Sequence, residues 1–330
     1  MKENTRFGKH TTCVVTGGLG FIGHHFVHRA LSMGWNVINI DKVTYASLDI
    51  GIKDNPKYTF IKQDISEIKD LPFCDVIVNF AAESHVDNSI LSSDPFMKSN
   101  INGVHNILEI LRRSLSSDIS HAYPRKSPLF LQISTDEVYG DIEDGFFMED
   151  ERFMPSNPYS ASKAAAEMLV RAWGRTYGLP YLITRTTNNY GCGQHPEKLI
   201  PMAITRCISD KPLLIFGSGK YVRNWIHVED NVDAIIHVLN YGEIGDSYNI
   251  ASPEEYSVME IAEMVMNKFG KHPTPSTIDN SLSRSGCDVR YALNCDKLKN
   301  IGWKCSRKLE ESLPEMIEYY RNGRRSAFNA

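Results

Sequence analysis

The sequence predicts an α/β protein, a doubly wound parallel sheet with a smaller α/β lobe appended. Three observations predict it. In the first half, short apolar runs alternate with helical patterns, the order that builds β-α-β units and a parallel sheet. Several of those runs are rich in Val and Ile and apolar on both faces, as strands covered by helices on both sides must be. The chain of 330 residues is long enough for one large α/β domain and an added lobe.

The elements follow in order. The predicted strands are "TCVVTG" (12–17), "NVINID" (36–41), "YTFIKQD" (58–64), "VIVNFAA" (76–82), "LFLQIS" (129–134) and "YLITRT" (181–186). Helical patterns follow Gly20 and cover about 95–115 and about 159–177. In the last of these, Ala161, Ala165, Met168, Leu169, Ala172 and Trp173 recur at spacings of three and four, which gives one apolar face. The second half is less regular. "PLLIFGSG" (212–219) predicts a strand and turn, 228–239 a helix, and 257–270 a helix stopped by Gly270. The polar stretches 116–127 and 271–288 are long connections; the second, rich in Pro and Ser, is either a linker or a ligand-contacting segment. The expected partition puts 1–187 plus about 221–245 in the sheet domain, and about 188–220 plus 246–330 in the lobe.

Apolar residues make up 42% and charged residues 23% of the chain, the balance of a globular protein with a real core. The net charge of −4 and the lack of a basic stripe argue against nucleic-acid binding and a membrane surface. The polar start "MKENTRFGKH" has no apolar core of a signal peptide, and no run is long enough to span a bilayer. The seven cysteines contain no C-x-x-C pair, so neither a disulfide framework nor a metal site is expected, and reduced thiols in the cytoplasm are.

"VVTGGLGFIGHHFV" sets Gly17, Gly20 and Gly23 at intervals of three, directly after a strand and at the opening of a helix. The first glycine permits the tight turn, the second lets backbone approach a pyrophosphate, and the third lets helix pack on strand; the helix N-terminus then faces the phosphates. This is the fingerprint of a Rossmann-type dinucleotide-binding domain. The second strand ends in Asp41, 18 residues after Gly23, placed to accept bonds from the adenosine ribose and to disfavour a 2′-phosphate. NAD is therefore expected over NADP, with Lys42 beside Asp41 as a counter-signal. Phe21 and Ile22 within the motif, and Asp64 and Ile65 after the third strand, complete the expected cofactor contacts. Asp64 is equally well explained as a turn acid.

"NPYSASK" holds Tyr159 and Lys163, four apart at the start of a helix and so on one face. A tyrosine with its ordinary pKa of about 10 is a poor base at neutral pH. A neighbouring ammonium favours the phenolate, which could then take a proton from an alcohol while hydride leaves. One further stretch, "QISTDEVYG", places Asp136 and Glu137 side by side at a strand end. On residues alone the pair is either a solvated turn or a general acid with a general base.

"TGGLGFIG", "NFAAESHVD", "STDEVYG", "YSASK" and "RTTNNYG" occur in this order. With them the chain resembles the extended short-chain dehydrogenase/reductases over nearly its whole length. More narrowly it resembles the nucleotide-sugar 4,6-dehydratases, the dTDP-glucose 4,6-dehydratases among them, in which Thr-Asp-Glu follows the fifth strand. The resemblance implies a lyase of deoxysugar biosynthesis acting on dTDP- or UDP-glucose, with tightly bound NAD recycled in each turnover. Tyr159, with Lys163, would take the C4 hydroxyl proton, Thr135 would polarise the C4 oxygen, Glu137 would take the C5 proton, and Asp136 would protonate the departing C6 hydroxyl. The same resemblance puts Ala81 and Ala82 against the cofactor, and Ser84, His85 and Asn189 near the sugar and diphosphate. Asn100 is expected against the active-site backbone. "HPEKLIP" would supply Glu197, Lys198 and Leu199 to the nucleotide pocket, and Arg223 would meet phosphate or ribose. "SRSGCDVRY" matches the family's R-P-G-H-D-x-R-Y at Arg284, Gly286, Asp288, Arg290 and Tyr291, but has Ser285 and Cys287 in place of proline and histidine. Arg284 and Tyr291 are thus expected substrate contacts. Extended members pair through two helices, here about 95–115 and 159–177, so a homodimer with a four-helix interface is expected. The rivals are a C4 epimerase, a uronic-acid decarboxylase or a 5,6-dehydratase of the same fold, and a non-catalytic NAD-binding module.

Overall fold

The computed structural model describes residues 5–117, 127–215, 218–274, 276–279 and 288–323. Its elements are β1 (Thr12–Thr16), α1 (Phe21–Ser32), β2 (Asn36–Asp41), β3 (Tyr58–Lys62), β4 (Val76–Asn79), α2 (Val86–Leu91), α3 (Asp94–Phe96), a π-helix (Met97–Asn102), α4 (Gly103–Ser117) and β5 (Leu129–Thr135). A 3₁₀ turn (Asp136–Val138) follows, then α5 (Pro158–Tyr177), β6 (Tyr181–Thr186), β7 (Asn188–Tyr190), α6 (Leu199–Ile208), β8 (Leu213–Leu214), β9 (Val222–His227) and α7 (Val228–Tyr241). The chain continues through β10 (Ser247–Ile250), β11 (Glu255–Ser257), α8 (Val258–Asn267), β12 (Ile278–Asp279), α9 (Asp296–Asn300) and α10 (Leu309–Arg321).

Seven strands form the main sheet in the order β10-β6-β5-β4-β1-β2-β3, every pairing parallel. The six predicted strands are all in it, and the order reverses between β1 and β4. In such sheets the crevice outside the carboxyl ends at that reversal is where ligands bind. Both faces are buried. Val15, Val37, Val78, Leu131 and Leu182 pack with α1 and α7 on one side; Val14, Ile77, Phe130 and Ile183 pack with α4 and α5 on the other.

The seventh strand comes from outside the expected sheet domain. β10 lies after the boundary drawn at about 246, yet pairs with β6 from Ser247↔Ile183 to Ile250↔Thr186. Leu298 and Trp303 likewise bury into the sheet's core. The chain therefore returns to the main body twice, and the lobe is the part around α6, α8 and α10, with its own core including Ile204, Val265 and Leu313. β9, expected with the sheet domain, instead joins β7 and β11 in a separate three-stranded sheet.

The helix expected over about 95–115 is not one regular element. It begins as α3, passes through a six-residue π-helix and becomes α4. Apolar periodicity registers faces, not whether each amide reaches back four residues or five, so sequence pattern cannot see a π-turn. α5 covers the expected range: Asn157 caps it in a reciprocal pair with Ser160, Pro158 follows, and Gly178 at φ 69° ends it. Much of the loop 271–288 and most of 116–127 lie outside the described residues.

Candidate active site

The carboxyl ends of the central strands open into one cavity of about 370 Å³. Its floor at one end is the glycine turn. Gly17 has φ +72°, and a Cβ there would lie 2.6 Å from the Ala81 nitrogen; a Cβ on Gly23 would lie 2.3 Å from the Gly17 carbonyl oxygen. Both contacts are with backbone, so neither position tolerates a side chain without moving a strand or the helix. α1 opens with no side-chain cap and no acid in its first turn, which leaves its N-terminal field facing the cavity.

Asp41 ends β2 beside this turn. Its Oδ2 accepts from the Leu19 N–H at 3.0 Å and its Oδ1 from the Val43 N–H at 2.8 Å. Burial pushes its pKa up in spite of those bonds. Asp64 closes a turn, accepting from the Ser66 N–H at 2.9 Å and Ser66 Oγ at 2.8 Å, and also lines the cavity. Burial raises its pKa, but the Ser66 bonds, Lys42 and Lys98 outweigh that and hold it below the ordinary value. Gly20, Phe21, Ile22, Lys42, Ile65, Ala81 and Ala82 line the same end.

At the other end β5 runs into the 3₁₀ turn and delivers Thr135, Asp136 and Glu137 together. The Thr135 hydroxyl donates to Asp136 Oδ1 at 3.1 Å and accepts from the Glu137 N–H at 3.3 Å. Asp136 is 3% exposed, and its Oδ2 has no hydrogen-bond partner among the described residues. Burial first, and the Glu137 charge second, push its pKa up to about 7. Burial also raises Glu137, but its Oε2 accepts from Asn157 Nδ2 at 3.4 Å, and Arg223 and Lys198 favour its ionised form. The two carboxyls thus share a site with different electrostatics, the pattern that separates an acid from a base.

Tyr159 and Lys163, on the first turns of α5, are 8% and 5% exposed. Their relation differs from expectation. The Lys163 ammonium donates to the Ile133 carbonyl at 2.6 Å, and burial lowers its pKa to about 8. Burial, then Glu137 and Asp136, hold the Tyr159 phenol well above its ordinary value, and only Thr135 opposes them. Burial is the largest influence on the tyrosine, and the acid pair, which sequence spacing could not weigh, adds to it.

Beneath the pair lies a network that was not legible from sequence. Arg185 and Glu167 form a wholly buried ion pair at 2.8 Å. Arg185 also donates to the Tyr139 hydroxyl, which in turn donates to Asn249 Oδ1 at 2.9 Å. Tyr139 stacks on Phe147 at 4.8 Å and stands two residues beyond Glu137, so the turn carrying the acids is anchored from below.

Of the residues expected to contact substrate, Ser84, Asn189, Glu197, Lys198 and Leu199 line the cavity. His85 and Arg223 are not among its lining residues. His85 caps α2 through Nδ1, which accepts from the Asn88 N–H, and stands 3.8 Å from Glu197. Arg223 stacks over Tyr291 at 4.4 Å and donates to the carbonyls of Val222, Asp288 and Val289. Its guanidinium is turned onto backbone, though its charge reaches both acids. Tyr291 is buried, and its hydroxyl donates to Asp288. Arg284, with Ser285, Gly286 and Cys287, lies outside the described residues. Sequence reasoning missed Gln194, His195 and Thr44, which also line the cavity. It also missed Asn157, whose N-cap position before a proline was a readable signal.

A family model described as GDP-mannose 4,6 dehydratase matches residues 14–316. The low-salt glycan biosynthesis protein Agl12 of Haloferax volcanii is 44% identical, over 93% of this chain and 97% of the relative. A dTDP-glucose 4,6-dehydratase of Xanthomonas campestris is 39% identical, over 94% and 93%. The crystal structure of DesIV, a dTDP-glucose 4,6-dehydratase from Streptomyces venezuelae with NAD bound, superposes with a TM-score of 0.87 at 34% identity, covering 94% of this chain and 97% of that one.

Proposed function

The chain belongs to the GDP-mannose 4,6-dehydratase family, and from that premise we infer that it is an NAD-dependent 4,6-dehydratase. It takes a nucleoside-diphosphate glucose to the 4-keto-6-deoxy sugar and water. The observation that carries the reading is Asp136, buried beside Glu137 with one carboxyl oxygen unpartnered among the described residues, at the cavity that Tyr159 and Lys163 also line. A buried, orphaned carboxyl oxygen costs stability, and a departing hydroxyl of a substrate would satisfy it.

The residues fit the cofactor: an uncapped helix N-terminus, a glycine turn with no room for side chains, and an acid at the end of β2. Gly17, Gly20 and Gly23 would hold its pyrophosphate and Asp41 its ribose. NAD, when bound, supplies the hydride acceptor for C4 and the donor for C6. Tyr159 Oη would act as the phenolate, which the positive charge of the bound nicotinamide would favour against burial and the acid pair, and would then receive the C4 hydroxyl proton, helped by Thr135. A ketone at C4 acidifies the C5 proton, which Glu137 removes and gives back to C5 as hydride reaches C6. Asp136, protonated near neutrality, gives its proton to the C6 hydroxyl as water leaves. Each step asks general acid–base catalysis for about 10²–10⁴-fold.

The nucleotide is proposed as dTDP or UDP, the choice resting with the lobe around Glu197, Lys198 and Leu199. A homodimer through α4 and α5 is part of the proposal. Met168 and Tyr177 of α5, 48% and 45% exposed, support it. No helix among the described residues is long and apolar enough to cross a membrane; the proposed compartment is the cytoplasm, which the unbridged described cysteines support. The test is a panel of nucleotide-hexoses followed by mass spectrometry. Loss of one water from a dTDP- or UDP-glucose is expected. Interconversion of gluco and galacto forms with no water lost would end the reading, as would NAD binding with no turnover of any member.

A further inference from the structure

Lys42 stands directly beside Asp41, the acid expected to meet the adenosine ribose, and by its position it could accept a 2′-phosphate. Its Nζ instead donates to Glu83 Oε1 at 2.7 Å and to Ser99 Oγ at 3.2 Å. Both partners are held in place. Asn100 Oδ1 accepts from the Glu83 N–H at 2.9 Å, and Asn100 Nδ2 donates to the Glu83 carbonyl at 3.0 Å. Ser99 and Asn100 are adjacent residues of the π-helix and are 3% and 1% exposed. The π-turn thus presents one residue to the lysine and the next to the glutamate's backbone. Asn100 also donates to Ser162 Oγ on α5, at 2.8 Å, which ties the arrangement to the helix of Tyr159.

The nearby cation Lys98 is also paired, at 2.7 Å from Glu67 and 3.7 Å from Asp64. Lys42 and Lys98 thus face four carboxylates, of which Asp41 and Asp64 line the cavity with Lys42 while Glu67 and Glu83 stand behind its lining. A further dianionic phosphate would enter a region whose cations are already neutralised.

We propose that Glu83 is a specificity-determining residue: held by Asn100, it ties Lys42 away from the ribose and so excludes the 2′-phosphorylated dinucleotide. Asp41 rejects the phosphate by repulsion and Glu83 removes its natural partner. The inference rests on the dinucleotide-cradle reading and not on the dehydration chemistry.

The experiment is calorimetric titration of the full-length, cofactor-stripped protein with NAD and with NADP. For the E83Q variant the ratio of the NADP to the NAD dissociation constant is expected to fall about 10-fold or more, the scale of one new charge-assisted bond. In the E83Q/K42A double variant the fall should vanish, because the freed lysine is its cause. An unchanged ratio in E83Q overturns the proposal, and so does a fall that survives removal of Lys42. Should E83Q fail to fold, E83D keeps the charge, draws the carboxylate back and should give a smaller fall; no fall there overturns the proposal equally. A wild-type protein that binds neither dinucleotide would instead break the cradle reading itself.

Discussion

The two ends of the cavity treat a buried carboxylate in opposite ways. At the cofactor end Asp41 has backbone N–H donors on both oxygens. At the reaction end Asp136 has one oxygen with no partner among the described residues and sits beside a second acid. On the proposed reading the first holds a ligand at rest, whereas the second keeps an unsatisfied group poised, at a cost to the fold, and the difference would separate binding residues from reacting ones.

The strongest way to break this contrast is Asp136→Asn. Dehydration should fall about 10²–10⁴-fold, while solvent deuterium still exchanges into C5, because Glu137 is intact; a variant that dehydrates normally would remove Asp136 from the acid's role. The same variant should be more heat-stable than the parent at pH 8. The sign follows from the raised pKa: ionising Asp136 costs more in the folded chain than in the unfolded one. The penalty therefore grows as pH rises from about 4 and levels off above about 7. The stability gain should shrink as pH falls to 5, and melting curves at the two pH values check it.

Next in size is the anchor beneath the acids. Arg185→Ala leaves Glu167 buried without its partner and should cost about 3–5 kcal/mol, read by denaturant unfolding; a loss under 1 kcal/mol would show that the pair does not anchor the turn. Gly23→Ala sharpens the comparison from the cofactor side. A Cβ facing the Gly17 oxygen should weaken NAD binding at least 10-fold, measured by titration, while Asp136 keeps its raised pKa. The smallest effect is in the pH profile of the parent. Since Asp136 must be protonated, kcat/KM should decline above about pH 7. A flat profile to pH 9 would place the acid elsewhere.

What was legible in the sequence was local. The glycine spacing, the Tyr159–Lys163 interval and the Thr135–Asp136–Glu137 run all reside within a few residues, and pattern reads such things. What was not legible depends on distant chain. Glu83 and Lys42 meet across 41 positions, and Arg185 reaches Tyr139 across 46. β10 joins β6 from across the lobe. Arg223 has the right charge for a phosphate, but Tyr291 and three carbonyls claim its guanidinium. No spacing rule encodes such competition for a side chain, because the winner is decided by packing.

The central claim is that water leaves from C5–C6 and that the hydrogen removed from C4 ends on C6. Nucleoside-diphosphate glucose carrying deuterium at C4, turned over by the full-length protein and examined by NMR, tests it directly. The account predicts a 4-keto product one water lighter, with the label in its C6 methyl group. Label returned to C4, beside an exocyclic alkene or an inverted hydroxyl, would contradict it.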